Sequence, residues 1–152
     1  MLINTRNRYF IFMFFSYNKN MKANNIKTIG ILTSGGDAPG LNAAIRSLCL
    51  TGKNKYNMKF IGVRNGYRGL IDGDCFKMDD LDFDSMINSG GTILGTSRVK
   101  PFKNPVPDPK TGLLPVEAIK ETFKKINLML LCVLAEMVQI LQRLFYLKLA
   151  LM

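Results

Sequence analysis

The stretch Gly30-Ile31-Leu32-Thr33-Ser34-Gly35-Gly36-Asp37-Ala38-Pro39-Gly40-Leu41-Asn42-Ala43-Ala44-Ile45-Arg46 decides the fold. An Ile- and Thr-rich strand candidate runs into a glycine pair, turns, and opens into an Ala-rich helix start. Such a junction leaves backbone N–H groups free at a helix N-terminus, where partial positive charge favours a phosphate. Gly35 and Gly36 carry no Cβ, so a phosphate could approach their backbone closely. Pro39 and Gly40 set the entry to the helix. The segment is not a Walker A motif, because no Gly-Lys-Ser/Thr follows the glycines, and its G-G-x-x-x-G spacing is not the Rossmann G-x-G-x-x-G. On spacing alone, an ordinary strand-to-helix turn with glycine at positive φ is an equal alternative.

Working outward, residues 27–33 read as a strand, and residues 41–52 as a helix with Leu41, Ala44, Ile45, Leu48 and Cys49 on one apolar face. Residues 58–63 read as a second strand. Strand–helix–strand order implies a crossover and a parallel sheet. Asn65-Gly66-Tyr67-Arg68-Gly69 reads as a turn, and residues 79–88, acidic at their start, as a short helix. A second glycine-rich loop, Gly90-Gly91-Thr92-Ile93-Leu94-Gly95-Thr96-Ser97-Arg98, follows. Residues 102–115 hold four prolines and read as a loop; residues 115–127 carry a helical pattern in Val116, Ile119, Phe123 and Ile126.

The 152 residues suffice for one domain with a core, and the 47% hydrophobic content argues against disorder throughout. The absence of His excludes His-based acid–base catalysis and His metal ligation. Half of the net charge of +10 sits in residues 1–28, which carry five bases and no acid. The bases form no stripe and no nucleic-acid-binding motif appears, so no nucleic-acid partner is expected. Cys49, Cys75 and Cys132 are odd in number and widely spaced, which points to reduced thiols in the cytosol rather than a disulfide framework or zinc site.

Residues 1–20 read differently from the rest. The aromatic run Tyr9-Phe10-Ile11-Phe12-Met13-Phe14-Phe15 follows Arg6 and Arg8 and mimics a signal peptide, but Asn18-Lys19-Asn20 stands where a small-residue cleavage site belongs. The run is also far short of the roughly 20 residues of a spanning helix. Met21 is the expected start, with residues 1–20 a translated upstream extension; a short membrane-associating anchor is the other reading.

The second loop adds the hydroxyls of Thr92, Thr96 and Ser97 and the planar fork of Arg98, which suits phosphate oxygens. A solvated surface charge is the alternative reading of Arg98. Three segments together, residues 30–46, Gly66-Tyr67-Arg68-Gly69-Leu70, and residues 90–98, resemble the 6-phosphofructokinase family in order and approximate spacing. The resemblance covers roughly residues 27–128, within an expected domain of residues 21–128, and implies an α/β fold: the partial parallel-sheet, Rossmann-like nucleotide-binding half of a phosphofructokinase subunit. It implies a cytoplasmic glycolytic kinase, homo-oligomeric when full length. Such a kinase transfers the γ-phosphoryl group of ATP to the 1-hydroxyl of fructose 6-phosphate with Mg²⁺. By the same resemblance the backbone of Gly36 would meet the nucleotide phosphates, with Gly35 beside it as the other cofactor-binding glycine expected from its missing Cβ, Arg98 would brace them, and Val99 would contact the nucleotide. Phosphoryl transfer relies on such positioning and charge neutralisation.

Two positions depart from the family pattern. Arg64 stands where many members carry a tyrosine near the adenine, and arginine also stacks on a base. Arg46 matches the first basic residue of the family's effector site, but residues 47–50 supply no second one. A pyrophosphate-dependent enzyme of the same family and a non-catalytic nucleotide-binding remnant are the alternatives.

After Leu128 the resemblance calls for an acid, a buried strand and Gly-Gly-Asp-Gly-Ser/Thr, whereas residues 129–139 read literally as a buried or amphipathic helix. The same DNA read one base out of step allows Gly-Gly-Asn/Asp-Gly-Thr across residues 134–139, and an aspartate across Leu128 and Met129. Residues 129–152 are therefore expected to be an out-of-frame tail. On that reading the chain holds no catalytic base, no metal ligand and no sugar-phosphate site, and the partial sheet has an unpaired edge and an uncovered face. Resequencing the DNA across residues 134–139 is expected to return GGC-GGA-(A/G)AT-GGN-AC in the shifted frame; incompatible codons would remove the idea.

Overall fold

A computed structural model describes residues 10–16, 28–79, 81–103, 105–109 and 111–136. Its elements, in chain order, are β1 (Phe10–Ser16), β2 (Thr28–Ser34), α1 (Leu41–Tyr56), β3 (Lys59–Val63), α2 (Gly66–Asp72), β4 (Cys75–Lys77), a 3₁₀ turn (Ser85–Asn88), α3 (Pro115–Lys125) and β5 (Leu130–Glu136). The strands form one sheet in the order β1-β5-β2-β3-β4. β2 pairs in parallel with both β3 and β5, while β1 and β4 flank this centre in antiparallel fashion. The expected α/β class and parallel centre are present; the antiparallel flanks make the sheet mixed.

β2 is buried from Ile29 through Ser34, as a central strand covered on both faces must be. Side chains alternate across a strand, and the core divides accordingly. Ile29 and Ile31 pack with Leu41, Ile45 and Cys49 of α1. Leu32 packs on the other face with Tyr67 and Leu70 of α2 and Phe123 of α3. β5 obeys the same rule: Cys132 and Leu134 join the α1 side, Leu131 and Val133 the α2–α3 side. Both faces of the central strands are thus covered, and β1 lies along the outer edge of β5 from Phe10↔Glu136 to Ser16↔Leu130. Among the described residues the central strands have no uncovered face, and the edges of the sheet are the outer strands β1 and β4.

Local chemistry sets the helix ends. α1 closes on Asn57, whose left-handed backbone lets its own N–H donate to the Lys53 carbonyl at 3.2 Å and the following Met58 N–H donate to the Gly52 carbonyl at 3.1 Å, while Lys53 and Lys55 complement the negative end of the helix dipole. α3 begins with Pro115, and Glu117 reaches back so that Leu114 N–H donates to its Oε2 at 3.0 Å.

Three local readings are corrected. Residues 130–136 form a strand, not a helix, because a short apolar run has no distinguishing period and the buried side chains of Leu131, Cys132, Val133 and Leu134 fill the slot beside β2. Residues 66–72 form α2 rather than a turn; its glycines weaken helix propensity, and burial of Tyr67 and Leu70 holds it. Of residues 79–88 only Ser85–Asn88 coil, as a 3₁₀ turn. Asp82 Oδ1 takes the N–H groups of Asp84 and Ser85 at 3.0 and 3.3 Å, a local bond that competes with helix. Those same bonds hold the Asp82 carboxyl below its usual range. No helix among the described residues is long and apolar enough to cross a membrane.

Burial pushes the thiols of Cys49 and Cys132 up to about 12, and that of Cys75 up to about 11. The unfolded chain ionises its thiols near pH 9 while the folded chain keeps them protonated, so their effect is to lower stability as pH rises above about 9. At pH 8, Cys49 and Cys132 should resist iodoacetamide in the native chain and react in urea, read by mass spectrometry. Rapid native labelling of Cys132 would show that β5 is not a buried central strand.

Candidate functional site

At the carboxyl end of β2 the chain passes through residues 35–40 into α1. Thr33 and Ser34 are buried, Gly35 is buried with φ 100°, Gly36 is half-buried and Asp37 is exposed. Gly40, at φ 92°, precedes α1 with no side-chain cap and no acid in the first turn. The first turn of this sixteen-residue helix thus holds no carboxylate of its own against its partial positive charge; the nearest acid before it in the chain is Asp37 in the preceding loop.

Residues 90–98 fold back over this junction. Leu94 is 1% exposed and anchors the loop in the α1-side core. Thr33 Oγ1 donates to the Gly95 carbonyl at 2.6 Å and lies 3.3 Å from Thr92 Oγ1. Gly91, at φ 74°, lies directly against the Asp37 carboxylate, so a Cβ there would push that side chain aside and would strain the left-handed backbone. Asn42, on the first turn of α1, accepts the Ile93 N–H at 2.9 Å and donates to the Met86 and Ser89 carbonyls at 3.1 Å each.

The start of α2 closes the third side. Asn65 N–H donates to the Leu94 carbonyl at 2.8 Å. Gly66, at φ 58°, fits between the Thr33 carbonyl and Ser97, and Arg68 N–H reaches Ser97 Oγ at 3.4 Å.

The two glycine-rich loops are therefore parts of one structure. Of the expected site residues, Gly35 and Gly36 lie in the first loop, while Arg98 and Val99 follow Ser97 in the second. Among the described residues no hydrogen bond joins Arg98 to Gly35 or Gly36, and Arg98 is exposed and forms no ion pair. Its donors are available to an anion from outside. The other two arginines singled out are engaged: Arg64 pairs with Asp74 at 3.0 Å and stacks on the Phe76 ring at 4.3 Å, and Arg46 pairs with Asp84 at 2.7 Å.

Sequence reasoning missed Asn42, Asp37 and Thr33 as joints between the loops. The signal for Asn42 was present: it sits beside Leu41 and three residues before Ile45, on the inward side of α1, and an amide there needs partners.

The phosphofructokinase family model matches residues 28–139, which span both loops and β5. The chain belongs to the phosphofructokinase family. It is 51% identical over 119 residues to an ATP-dependent 6-phosphofructokinase of Spirochaeta thermophila, covering 75% of this chain and 32% of that relative. It is 53% identical over 75 residues to ATP-dependent 6-phosphofructokinase 3 of Bacteroides thetaiotaomicron, covering 49% of this chain and 22% of that relative. The crystal structure of Pichia pastoris phosphofructokinase in the T-state superposes with a TM-score of 0.55 at 32% identity, over 68% of this chain and 10% of that one. The chain thus spans about a third or less of the length of these phosphofructokinases.

Replacing Thr33 by Val removes the buried hydroxyl that satisfies the Gly95 carbonyl, at unchanged shape. Urea unfolding should show a loss of about 1–3 kcal/mol. An unchanged midpoint would mean that Thr33 does not tie the loops.

Proposed function

We propose that this chain is the part of an ATP-dependent 6-phosphofructokinase that grips the nucleotide's phosphates. The observation that carries the proposal is the meeting of the two loops at Asp37 and Gly91, Thr33 and Gly95, and Asn42 and Ile93. A phosphate chain laid along the junction would take backbone N–H groups from Gly35 and Gly36 and the positive end of α1. Arg98 would neutralise its oxygens through charge-assisted bonds, with Val99 beside the nucleotide. The names of the relatives, ATP-dependent at 51% and 53% identity, support ATP as donor.

The reaction of the complete enzyme would move the γ-phosphoryl group from ATP to the 1-hydroxyl of fructose 6-phosphate, giving ADP and fructose 1,6-bisphosphate. It would be a magnesium-dependent, cytoplasmic and glycolytic step of a homo-oligomer. Among the described residues no three Cys, Asp or Glu side chains converge on a metal position. These residues do not by themselves build a Mg²⁺ site, and no step is assigned through one. No matched residue is positioned as a general base either, so the chain alone should bind without turnover. The boundaries at residues 20 and 128, with out-of-frame residues beyond, belong to the same proposal.

Calorimetric titration with ATP should saturate, and Arg98→Ala should weaken it at least tenfold, the scale of a lost charge-assisted bond of about 1.5–3 kcal/mol. Fructose 6-phosphate and ATP together should yield no fructose 1,6-bisphosphate. Protein-dependent product would refute the inactive reading. Absence of ATP binding would refute the site, and unweakened binding by Arg98→Ala its assignment to Arg98.

A further inference from the structure

Asn42 is 3% exposed, yet every hydrogen bond described for its side chain is to the backbone of another segment. Its Nδ2 donates to carbonyls on one side of the Gly90-Gly91 pair, those of Met86 and Ser89, and its Oδ1 accepts the N–H of Ile93 on the other. One amide therefore clasps both stems of the second glycine loop. It does so from the first turn of α1, directly after residues 35–40 have made the first loop. Between the stems, Gly91 is pressed on Asp37 of that first loop.

The clasp has a specific chemistry. Only a side chain with both a donor and an acceptor at this length can serve two carbonyls and one N–H together. A carboxylate keeps the acceptor and sets a negative charge against two carbonyl oxygens. A methyl group leaves all three backbone groups unsatisfied in a buried place, each at a cost of about 1–3 kcal/mol. Leu94 burial, the Thr33 hydroxyl and the Asn65 N–H hold the loop on the Ile93 side of the glycine pair, and burial of the Met86 side chain holds the other stem; among the described residues Asn42 is the side chain that bonds both stems.

We infer that Asn42 is a positioning residue that sets the spacing between the two phosphate-gripping loops, acting through the Gly90-Gly91 backbone rather than by touching the nucleotide. The inference rests on the nucleotide reading above. It assigns to the amide a share of ATP affinity that core packing alone does not give.

The test combines amide hydrogen exchange with ATP titration on the 152-residue chain and its Asn42→Asp and Asn42→Ala variants. In the wild type the Ile93 amide should exchange at least tenfold more slowly than the Gly90 amide; this needs no variant and is lost if the clasp does not form in solution. Asn42→Asp should keep Ile93 protected, Asn42→Ala should not, and both should leave exchange in the middle of α1 unchanged. Both should bind ATP at least tenfold more weakly. Wild-type saturation with equal affinity in both variants overturns the inference and leaves the nucleotide site standing. Weakened binding accompanied by loss of protection throughout α1 and β2 also overturns it, since that marks a general packing role. No saturable binding by the wild type overturns the nucleotide reading and the inference with it.

Discussion

The hydroxyl of Thr33, 2.6 Å from the Gly95 carbonyl, is the joint on which the site depends. It stands at the carboxyl end of the central strand, where β2 can no longer spend its polar groups on sheet partners alone. A buried polar group there must find a partner, and the second loop supplies one. Loops that are far apart in sequence are thereby held as one unit. Leu94 keeps the unit in place from below, because withdrawing it would expose a side chain that is 1% accessible.

The same strand organises the rest. β2 is paired in parallel on both sides, so its residues must be apolar on both faces and its carboxyl end must carry the connections. Open α/β sheets place ligands at that end. β5 completes the pattern: Leu131, Cys132, Val133 and Leu134 are all buried, two toward α1 and two toward α2 and α3. Whatever the reading frame that produced them, these residues satisfy what the slot demands, an extended apolar run with alternate faces.

Much of this was legible in the sequence. β2, α1, β3 and α3 announce themselves through β-branched runs, helical spacing and cap residues, and both glycine loops stand out. β5 was not legible, because Leu, Cys and Val in a row have neither period and only the neighbour decides strand over helix. α2 was hidden by Gly66 and Gly69, which lower intrinsic propensity while tertiary burial of Tyr67 and Leu70 holds the turn of helix. Within the site, Gly35, Gly36, Arg98 and Val99 could be nominated from wording and chemistry. Their assembly could not, because it runs through Thr33, Asp37 and Asn42, whose partners lie about fifty to sixty residues away in the chain.

The most direct measurement is an NMR titration of the labelled chain with ATP, following the backbone amides of Gly35, Gly36, Gly91, Gly95 and Arg98. If both loops hold one triphosphate, all five move together along a single saturating curve. Shifts confined to one loop, or separate curves for the two, would contradict a common site.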